Sequence, residues 1–263
     1  MGEPVAELPP LDAVLLDLDG VLYVEDEVLP GAREAVERLR SAGVGMRFVT
    51  NTTAHSRTAT LDKLLRLGFD LEDEELVTPA ALAERLCLER GHERASLLMS
   101  EEVMEDLPAL ERDDEQPQAV IVGDLGERFG YEVLNRAFRH VMAGAALVAL
   151  QKNRYWRRAD GMSLDVGPFV AALEYATGRE ADVVGKPARR FFEGVLGGLG
   201  SGPGDAVMVG DDVESDVGGA LAAGLSGVLV RTGKFREDAV RRSGVRPTAV
   251  VDSIADVPEL LGA

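Results

Sequence analysis

The stretch AVLLDLDGVLY, residues 13–23, decides the fold class of this chain. Its first part, Ala13–Leu18, is a short apolar run of the kind that forms a strand buried on both faces. An amphipathic helix over Gly31–Ala42, a strand over Val44–Thr50 and a helix over Ser56–Leu67 are predicted to follow it. Alternating strands and helices are typical of a parallel sheet that is covered by helices on both faces.

The same alternation returns in the last third of the chain. The pattern there predicts four strands and two helices, namely strands Asp182–Val184, Ala206–Val209, Gly227–Val230 and Thr248–Val251, and helices Phe191–Leu199 and Ser215–Ala223. We therefore predict an α/β fold with a Rossmann-like, doubly wound parallel sheet, built from the first and last parts of the chain.

The middle of the chain has a different pattern, in which charged segments separate isolated strands. Its predicted elements are strands Ala95–Met99, Ala119–Val122 and Ala146–Leu150, helices Tyr131–Met142 and Gly167–Ala176, and loops Glu111–Gln118 and Gln151–Gly161. We interpret this region as a second α/β domain inserted into the first. The expected organisation is a core formed by residues 1–79 and 181–263, and an insert formed by residues 80–180.

The composition excludes several classes of partner. Among 263 residues there are 28 Lys+Arg and 46 Asp+Glu, which gives a formal net charge of −18. Such a chain repels phosphate backbones and anionic lipid surfaces, so we expect neither nucleic acid nor membrane as a partner. The acid excess fits a high-salt cytoplasm or a GC-rich genome, and the sequence leaves both readings open.

The same inspection predicts a soluble, cytoplasmic protein. The single cysteine, Cys87, cannot form an internal disulfide, so the chain needs no oxidising compartment. The segment Met1–Pro10 has neither the basic start nor the apolar run of a signal peptide. The longest apolar stretch, Val141–Leu150, has about half the length that a membrane span requires.

Two carboxylates, Asp17 and Asp19, stand at the expected carboxyl end of the first strand, where open α/β sheets bind ligands. Residues two apart on a strand share a face, and two adjacent carboxylates repel each other unless a cation or a shared proton intervenes. Carboxylate oxygens suit Mg²⁺. The residues alone also allow a strand end with two solvated aspartates.

A second acidic group, Asp211, Asp212 and Asp216, follows the strand Ala206–Val209 and opens a helix. If this strand neighbours the first, Asp17, Asp19 and Asp211 meet in one site that requires a divalent ion. Helix N-capping by Asp212 or Ser215 is the other reading, and the two roles can coexist.

Two further features could bind phosphate. Thr50 and Asn51 end a strand, where small hydroxyl and amide groups beside free helix N–H groups can cradle an anion. Lys186 follows the strand Asp182–Val184, where a cation could neutralise a phosphate or a carboxylate. The segment around Lys186 is not a P-loop, because Glu180 and Pro187 break that motif. Helix capping and a solvated lysine remain the alternative readings.

The order of these four features resembles the haloacid dehalogenase superfamily of aspartate-dependent phosphotransferases. The large insertion is similar to the C2-type cap of its subfamily IIA. The segments Asn153–Tyr155, Asp165–Phe169, Ala172–Ala176, Val184–Pro187, Gly210–Ala220 and Arg231–Phe235 resemble the branch that contains phospholysine phosphohistidine inorganic pyrophosphate phosphatase. Animal members of that branch often have Ser in place of Asp19, so their substrates are not carried over.

The resemblance implies a Mg²⁺-dependent phosphatase of a small phosphorylated metabolite. Asp17 would be the nucleophile and Asp19 the general acid and base. The metal ligands would be Asp17, Asp211 and the backbone carbonyl of Asp19. Asp212 and Asp216 would support this site, and Thr50, Asn51 and Lys186 would hold the phosphoryl oxygens. The resemblance also makes a homodimer plausible.

The inserted domain is expected to close over this site and exclude water. Its candidate specificity residues are Asn153, Arg154, Tyr155 and Trp156. A domain or dimer surface is the other reading of this segment. Phosphomutase, phosphonatase and dehalogenase activities share the fold, and Lys152 would be the lysine that a phosphonatase needs. The alternative outside enzymes is a non-catalytic protein that binds Mg²⁺ or phosphate.

Overall fold

A computed structural model describes residues 11–158 and 161–263. The chain divides into two compact units, which we call the core unit and the inserted unit. Among the described residues, the core unit comprises residues 11–50, 61–77 and 186–263, and the inserted unit comprises residues 51–60, 78–158 and 161–185.

The strands and helices are numbered in chain order. The strands are β1 Ala13–Asp17, β2 Tyr23–Val24, β3 Glu27–Val28, β4 Gly45–Val49, β5 Leu76–Val77, β6 Arg94–Leu98, β7 Glu111–Arg112, β8 Ala119–Val122, β9 Ala146–Ala149, β10 Tyr155–Arg158, β11 Gly161–Leu164, β12 Asp182–Val183, β13 Ala206–Gly210, β14 Ser226–Val230 and β15 Ala249–Val251. The helices are α1 Ala32–Ser41, α2 Arg57–Arg66, α3 Pro79–Glu89, α4 Glu101–Met104, α5 Tyr131–Met142, α6 Gly167–Thr177, α7 Arg189–Gly197, α8 Gly219–Ala223, α9 Glu237–Ser243 and α10 Val257–Leu261.

The core unit contains a six-stranded parallel sheet in the order β15-β14-β13-β1-β4-β5. Strand β1 lies inside this sheet, paired with β13 on one side and β4 on the other. All five of its residues are buried, which explains its continuous apolar sequence. Leu16, Phe48 and Val209 from these three strands share one hydrophobic cluster. The predicted α/β fold with a parallel sheet is confirmed.

The inserted unit has its own five-stranded parallel sheet, in the order β12-β9-β8-β6-β7. Val120 of β8, Leu147 of β9, Val141 of α5 and Val170 of α6 pack in one cluster. A separate antiparallel hairpin pairs β10 with β11. The predicted strand Ala119–Val122 and helix Tyr131–Met142 have the observed bounds.

One predicted strand lies in the other sheet. The residues Asp182 and Val183 pair with Val148 and Ala149, so β12 belongs to the inserted sheet and not to the core sheet, where the sequence pattern put it. The strand has only two residues, and nothing in so short a run specifies its partner. The partner is fixed by non-local hydrogen bonds.

Three other expectations change in detail. The expected loop Glu111–Gln118 begins with the short strand β7, which pairs with β6. The expected loop Gln151–Gly161 contains β10, because its Tyr and Trp favour a strand once β11 is available as partner. The helix expected over Ser215–Ala223 begins earlier, with a π-helix over Val213–Gly218 that leads into α8.

Two sequence expectations concern single features. Cys87 is buried and unpaired on α3, as its helical apolar pattern predicts. In the part of the chain that the structure describes, no helix combines the length and the apolar character needed to cross a bilayer.

Candidate active site

The candidate site begins at the carboxyl end of β1, where the strand ends with Asp17. The neighbouring strand β13 ends with Gly210, and Asp211 follows it directly. Carboxylate oxygens of Asp17, Asp211 and Asp216 all lie within 4.8 Å of one another, and all three residues are buried. We call these three residues the carboxylate cluster. Parallel pairing of β1 and β13 brings its first two members together.

Asp211 has one satisfied and one unsatisfied oxygen. Its Oδ2 accepts a hydrogen bond of 2.7 Å from the backbone N–H of Lys234. Its Oδ1 is buried and has no hydrogen-bond partner among the described residues. Burial, together with the charges of Asp17 and Asp216, raises the pKa of Asp211 to about 8. A cation bound in the site would satisfy Asp211 Oδ1 and would favour the ionised carboxylate.

Asp216 reaches the cluster from the π-helix. Its Oδ1 lies 2.7 Å from the Lys186 ammonium, and its Oδ2 accepts a 3.1 Å hydrogen bond from the Asp212 backbone. A side chain at Gly210 would overlap Asp216, so the glycine makes room for this approach. Burial and the Asp17 charge raise the pKa of Asp216, while the charge of Lys186 lowers it.

Lys186 is the buried cation of the site. Its Nζ donates a 2.8 Å hydrogen bond to Asp17 Oδ1 and also pairs with Asp216. Burial alone would lower the pKa of Lys186, but the two carboxylates raise it above its usual value. Lys186 therefore stays charged and counters part of the negative charge of the cluster.

Asp19 differs from Asp17 in its surroundings. Its side chain is exposed, and it is not part of the carboxylate cluster. Tyr23, which forms an isolated bridge with Asp19, is buried. Burial and the charges of Asp19, Asp17 and Asp26 raise the pKa of Tyr23. The Asp19 carboxyl group, two residues after Asp17, is therefore accessible to a bound molecule or to water.

Asp212 caps the π-helix. Its Oδ1 accepts 3.0 Å hydrogen bonds from the backbone N–H groups of Glu214 and Ser215. The capping interpretation of Asp212 is therefore confirmed. A supporting role of Asp212 in the site stays a prediction.

Thr50 and Asn51 follow β4 directly. Thr50 is buried, and its backbone N–H donates to the Val77 carbonyl at 3.4 Å. Asn51 is half-buried, and a side chain at Gly185 would press against its Oδ1. Their expected contact with a phosphoryl group stays a prediction.

The candidate specificity residues lie at the start of the β10–β11 hairpin. Asn153 is half-buried, and its backbone N–H donates to Gln151 Oε1. Arg154 and Tyr155 are exposed. The Trp156 backbone is part of β10, but its side chain lies outside the described part of the chain.

Lys152, the lysine that a phosphonatase would need, forms a 2.6 Å ion pair with Glu174 of α6. The Lys152 ammonium thus pairs with a carboxylate of the inserted unit, to which Lys152 itself belongs.

Comparison with known proteins gives a consistent result. The family models described as "Haloacid dehalogenase-like hydrolase" and "HAD-hydrolase-like" match residues 14–111 and 183–257. Haloacid dehalogenase-like hydrolase domain-containing protein 2 of Homo sapiens is 48% identical over 226 residues, which are 86% of each chain. The chain belongs to the haloacid dehalogenase-like hydrolases. It is therefore an enzyme of the hydrolase class.

Two further relatives of this hydrolase have names that state an activity. Phospholysine phosphohistidine inorganic pyrophosphate phosphatase of Xenopus laevis is 40% identical over 95% of this chain and 94% of its own. The solved structure of p-nitrophenyl phosphatase from Archaeoglobus fulgidus superposes with a TM-score of 0.89 at 28% identity. The match covers 95% of this chain and 99% of that chain. The family resemblance drawn from the sequence is confirmed.

The carboxylate cluster of this hydrolase fits a divalent cation. Three buried carboxylates surround one point, and Asp211 Oδ1 has no hydrogen-bond partner among the described residues. Hard cations such as Mg²⁺ prefer oxygen ligands of this kind. A bound divalent cation would compensate the negative charge of the three carboxylates, which Lys186 neutralises only in part.

The structure adds site residues that the sequence reasoning did not single out. Gly20 has a φ of +84°, and a side chain there would overlap the Asp211 carboxylate. Thr232 Oγ1 donates a 2.5 Å hydrogen bond to the Gly20 carbonyl. For Thr232, the signal in the sequence was the family resemblance over Arg231–Phe235, but that resemblance assigned no role to these residues.

Proposed function

We propose that this hydrolase is a Mg²⁺-dependent phosphatase that forms a phosphoaspartate on Asp17. The observation that carries the proposal is the buried group of Asp17, Asp211, Asp216 and Lys186 at the carboxyl ends of β1 and the adjacent β13. Such a group suits phosphoryl transfer, which depends mainly on positioning and on charge stabilisation.

In the first step, an Asp17 carboxylate oxygen would attack phosphorus. The new bond joins that oxygen to phosphorus, and the bond from phosphorus to the leaving oxygen breaks. Asp19 is exposed and two residues away, so it can give its proton to the leaving oxygen. The products of this step are the free alcohol, or other leaving group, and the phosphoaspartate.

In the second step, water would attack the phosphoaspartate. Asp19, now ionised, takes a proton from the water as the oxygen–phosphorus bond forms. The bond between Asp17 and phosphorus then breaks and releases inorganic phosphate. Asp17 returns to a carboxylate and Asp19 to its protonated form, so the cycle closes with one water consumed.

The metal ligands in this proposal are Asp17, Asp211 and the backbone carbonyl of Asp19, with Asp216 and Asp212 in support. Mg²⁺ bound there would neutralise the carboxylates and the charge of the substrate. Lys186, Thr50 and Asn51 would hold the phosphoryl oxygens. Lys186 is suited to this role because it already contacts Asp17 at 2.8 Å.

The proposed substrate class is a small phosphorylated metabolite: a phosphomonoester, pyrophosphate or an N-phosphoryl compound. Support comes from the relatives, because one is named for inorganic pyrophosphate and phosphoamino acids and another for p-nitrophenyl phosphate. We further propose that the inserted unit is a C2-type cap in which Asn153, Arg154, Tyr155 and Trp156 select the substrate.

The test is the release of inorganic phosphate from p-nitrophenyl phosphate, pyrophosphate and a phosphoamino acid, with Mg²⁺ or with EDTA. We expect Mg²⁺-dependent release by the wild type and a loss of at least a thousandfold in Asp17→Asn. Asp12→Asn is the matched control, since Asp12 is exposed next to the other end of β1. Release that persists in Asp17→Asn, or in EDTA, would contradict the proposal.

We also propose a cytoplasmic location and a homodimer. The location is supported by Cys87, which is buried and needs no disulfide partner. The dimer is supported by the family resemblance. Cell fractionation and sedimentation velocity test the two proposals, and a secreted or purely monomeric protein would contradict them.

A further inference from the structure

The loop from Arg231 to Phe235, which follows β14, contacts two parts of the candidate site. Thr232 Oγ1 donates a hydrogen bond to the carbonyl of Gly20, which lies three residues after the end of β1. The backbone N–H of Lys234 donates to Asp211 Oδ2 at 2.7 Å. Both contacts lie within the core unit. The loop is therefore attached to the segments that supply Asp19 and Asp211.

The backbone of this loop is fixed in place. Gly233 has a φ of +58°, and a side chain there would overlap the Asp211 carboxylate. Phe235 N–H donates to the Thr232 carbonyl at 3.2 Å, and the Phe235 ring packs against a cluster with Val213 and Val217. Since the backbone holds the loop, the Lys234 side chain is not needed to keep Asp211 in position.

Lys234 is an exposed residue. Among residues 11–158 and 161–263, no carboxylate forms an ion pair with its ammonium group. The ammonium nevertheless lies within electrostatic reach of Asp211, Asp17 and Asp216. Lys234 is thus a charged group beside the site, attached by a flexible stem.

The two lysines near the carboxylate cluster differ in their contacts. Lys186 is buried and contacts Asp17 and Asp216 directly, so it serves the transferring phosphoryl group. Lys234 is exposed and forms no ion pair within the described residues. Its side chain can therefore reach a part of the substrate that lies farther from phosphorus. A second anion there would meet a cation in a site otherwise rich in carboxylates.

We propose that Lys234 binds a second anionic group, a carboxylate or a phosphate, on the leaving-group side of the substrate. This inference rests on the proposed phosphatase function and narrows its substrate class to compounds with two anionic groups. A role limited to general charge compensation is the competing explanation, and it predicts equal effects on substrates with one and with two anionic groups.

The test compares Lys234→Met, Lys234→Arg and the wild type on two matched substrate pairs. The pairs are phenyl phosphate with 4-carboxyphenyl phosphate, and ethyl phosphate with carboxymethyl phosphate. Arg236→Met is the matched control, since Arg236 is exposed directly after this loop and its guanidinium donates to the Phe235 carbonyl. The measurements are kcat and KM from phosphate release with saturating Mg²⁺.

We expect Lys234→Met to raise KM about tenfold for the carboxylated member of at least one pair and less than threefold for its partner, with kcat little changed. Lys234→Arg should restore most of the discrimination, and Arg236→Met should have no effect. Equal KM changes within both pairs, or no change in either, would overturn the inference while the phosphatase stands. No phosphate release by the wild type would instead overturn the proposed function.

Discussion

Lys186 supplies a single positive charge to three buried carboxylates. It pairs with Asp17 and Asp216, whereas Asp211 accepts from a neutral backbone N–H and its Oδ1 has no hydrogen-bond partner in the described part of the chain. Ionisation of all three carboxylates would leave a buried excess of negative charge, which is costly in a low-dielectric interior. Burial and the neighbouring charges accordingly raise the pKa of Asp211, so a proton on Asp211 would relieve this cost when no cation is bound.

This proton predicts how metal binding depends on pH. In the unfolded chain an Asp ionises near pH 4, whereas burial and the charges of Asp17 and Asp216 raise the pKa of folded, metal-free Asp211 to about 8. Between these pH values the folded state holds a proton that the unfolded state lacks. The free energy of unfolding of the metal-free protein therefore falls as pH rises toward 8. Mg²⁺ competes with the same proton.

We expect the rise in Tm on replacing EDTA with 10 mM Mg²⁺ to be larger at pH 8.5 than at pH 6. Differential scanning fluorimetry measures both values. Asp211→Asn is the control, because its amide is neutral throughout and should remove most of the Mg²⁺ effect. An equal Mg²⁺-induced rise in Tm at the two pH values would show that Asp211 is already ionised at pH 6 without metal.

At the scale of elements, tight turns place the site residues. The turn after β1 contains Gly20 at φ +84°, a value that L side chains rarely adopt, and its Cα faces the Asp211 carboxylate. The turn thus requires glycine for two separate reasons, backbone conformation and space.

Gly20→Ala should therefore both destabilise the protein and displace Asp211. We expect a loss of roughly 1–3 kcal/mol in the free energy of unfolding from the strained backbone and the overlap, and a loss of Mg²⁺-dependent activity of at least tenfold. Gly43→Ala separates the two effects, because Gly43 has φ +77° and open space around it. Urea unfolding and phosphate release measure the outcome; comparable activity in the two variants would refute the displacement of Asp211.

Local sequence predicted the elements whose shape is set locally. Strand β1 and helix α5 have strong apolar patterns, and their predicted bounds agree with the structure to within one residue. Strand β10 pairs with β11, whose own sequence pattern is too weak to predict a strand. Strand β12 pairs with β9, which is distant in sequence. The short run at β12 was assigned to the wrong sheet for that reason.

The candidate site follows the same division. The sequence predicted that Asp17 and Asp211 would meet only if their two strands were neighbours, and the structure shows that β1 and β13 are. The contacts of Lys186 with Asp17 and Asp216 could not be derived from spacing, because they depend on the path of the chain after β12. The backbone contact of Lys234 with Asp211 leaves no trace in side-chain chemistry, so no residue pattern could reveal it.

At the scale of the whole molecule, the net charge of −18 is the dominant feature. Mutual repulsion of carboxylates opposes the compact state and is screened by salt over a Debye length of about 10 Å at 0.1 M and about 3 Å at 1 M. Charge screening is nearly complete at moderate salt, so it stabilises the protein little beyond that concentration. If the acidic surface is instead adapted to a high-salt cytoplasm, stability should keep rising with salt through the hydration of the carboxylates.

We expect Tm to rise with KCl between 0.02 and 0.3 M and to level off by about 0.5 M, as screening saturates. Thermal scans in constant 10 mM Mg²⁺ keep occupation of the carboxylate cluster fixed. A steady rise up to 2 M KCl would contradict this expectation and would favour adaptation to high salt over genome composition as the origin of the acid excess.

The order of the strands in the core sheet has a consequence for synthesis of the protein. Strand β1 pairs with β4, which follows it closely, and with β13, which begins at Ala206. At a translation rate of about 5–20 residues per second, the ribosome needs roughly 8–30 s between the emergence of these two partners. During that interval one edge of β1 is without its neighbour. The inserted unit, whose own sheet is complete after β12, can fold within this delay. The carboxylate cluster around Asp17 can form only after β13 and the π-helix have been synthesised.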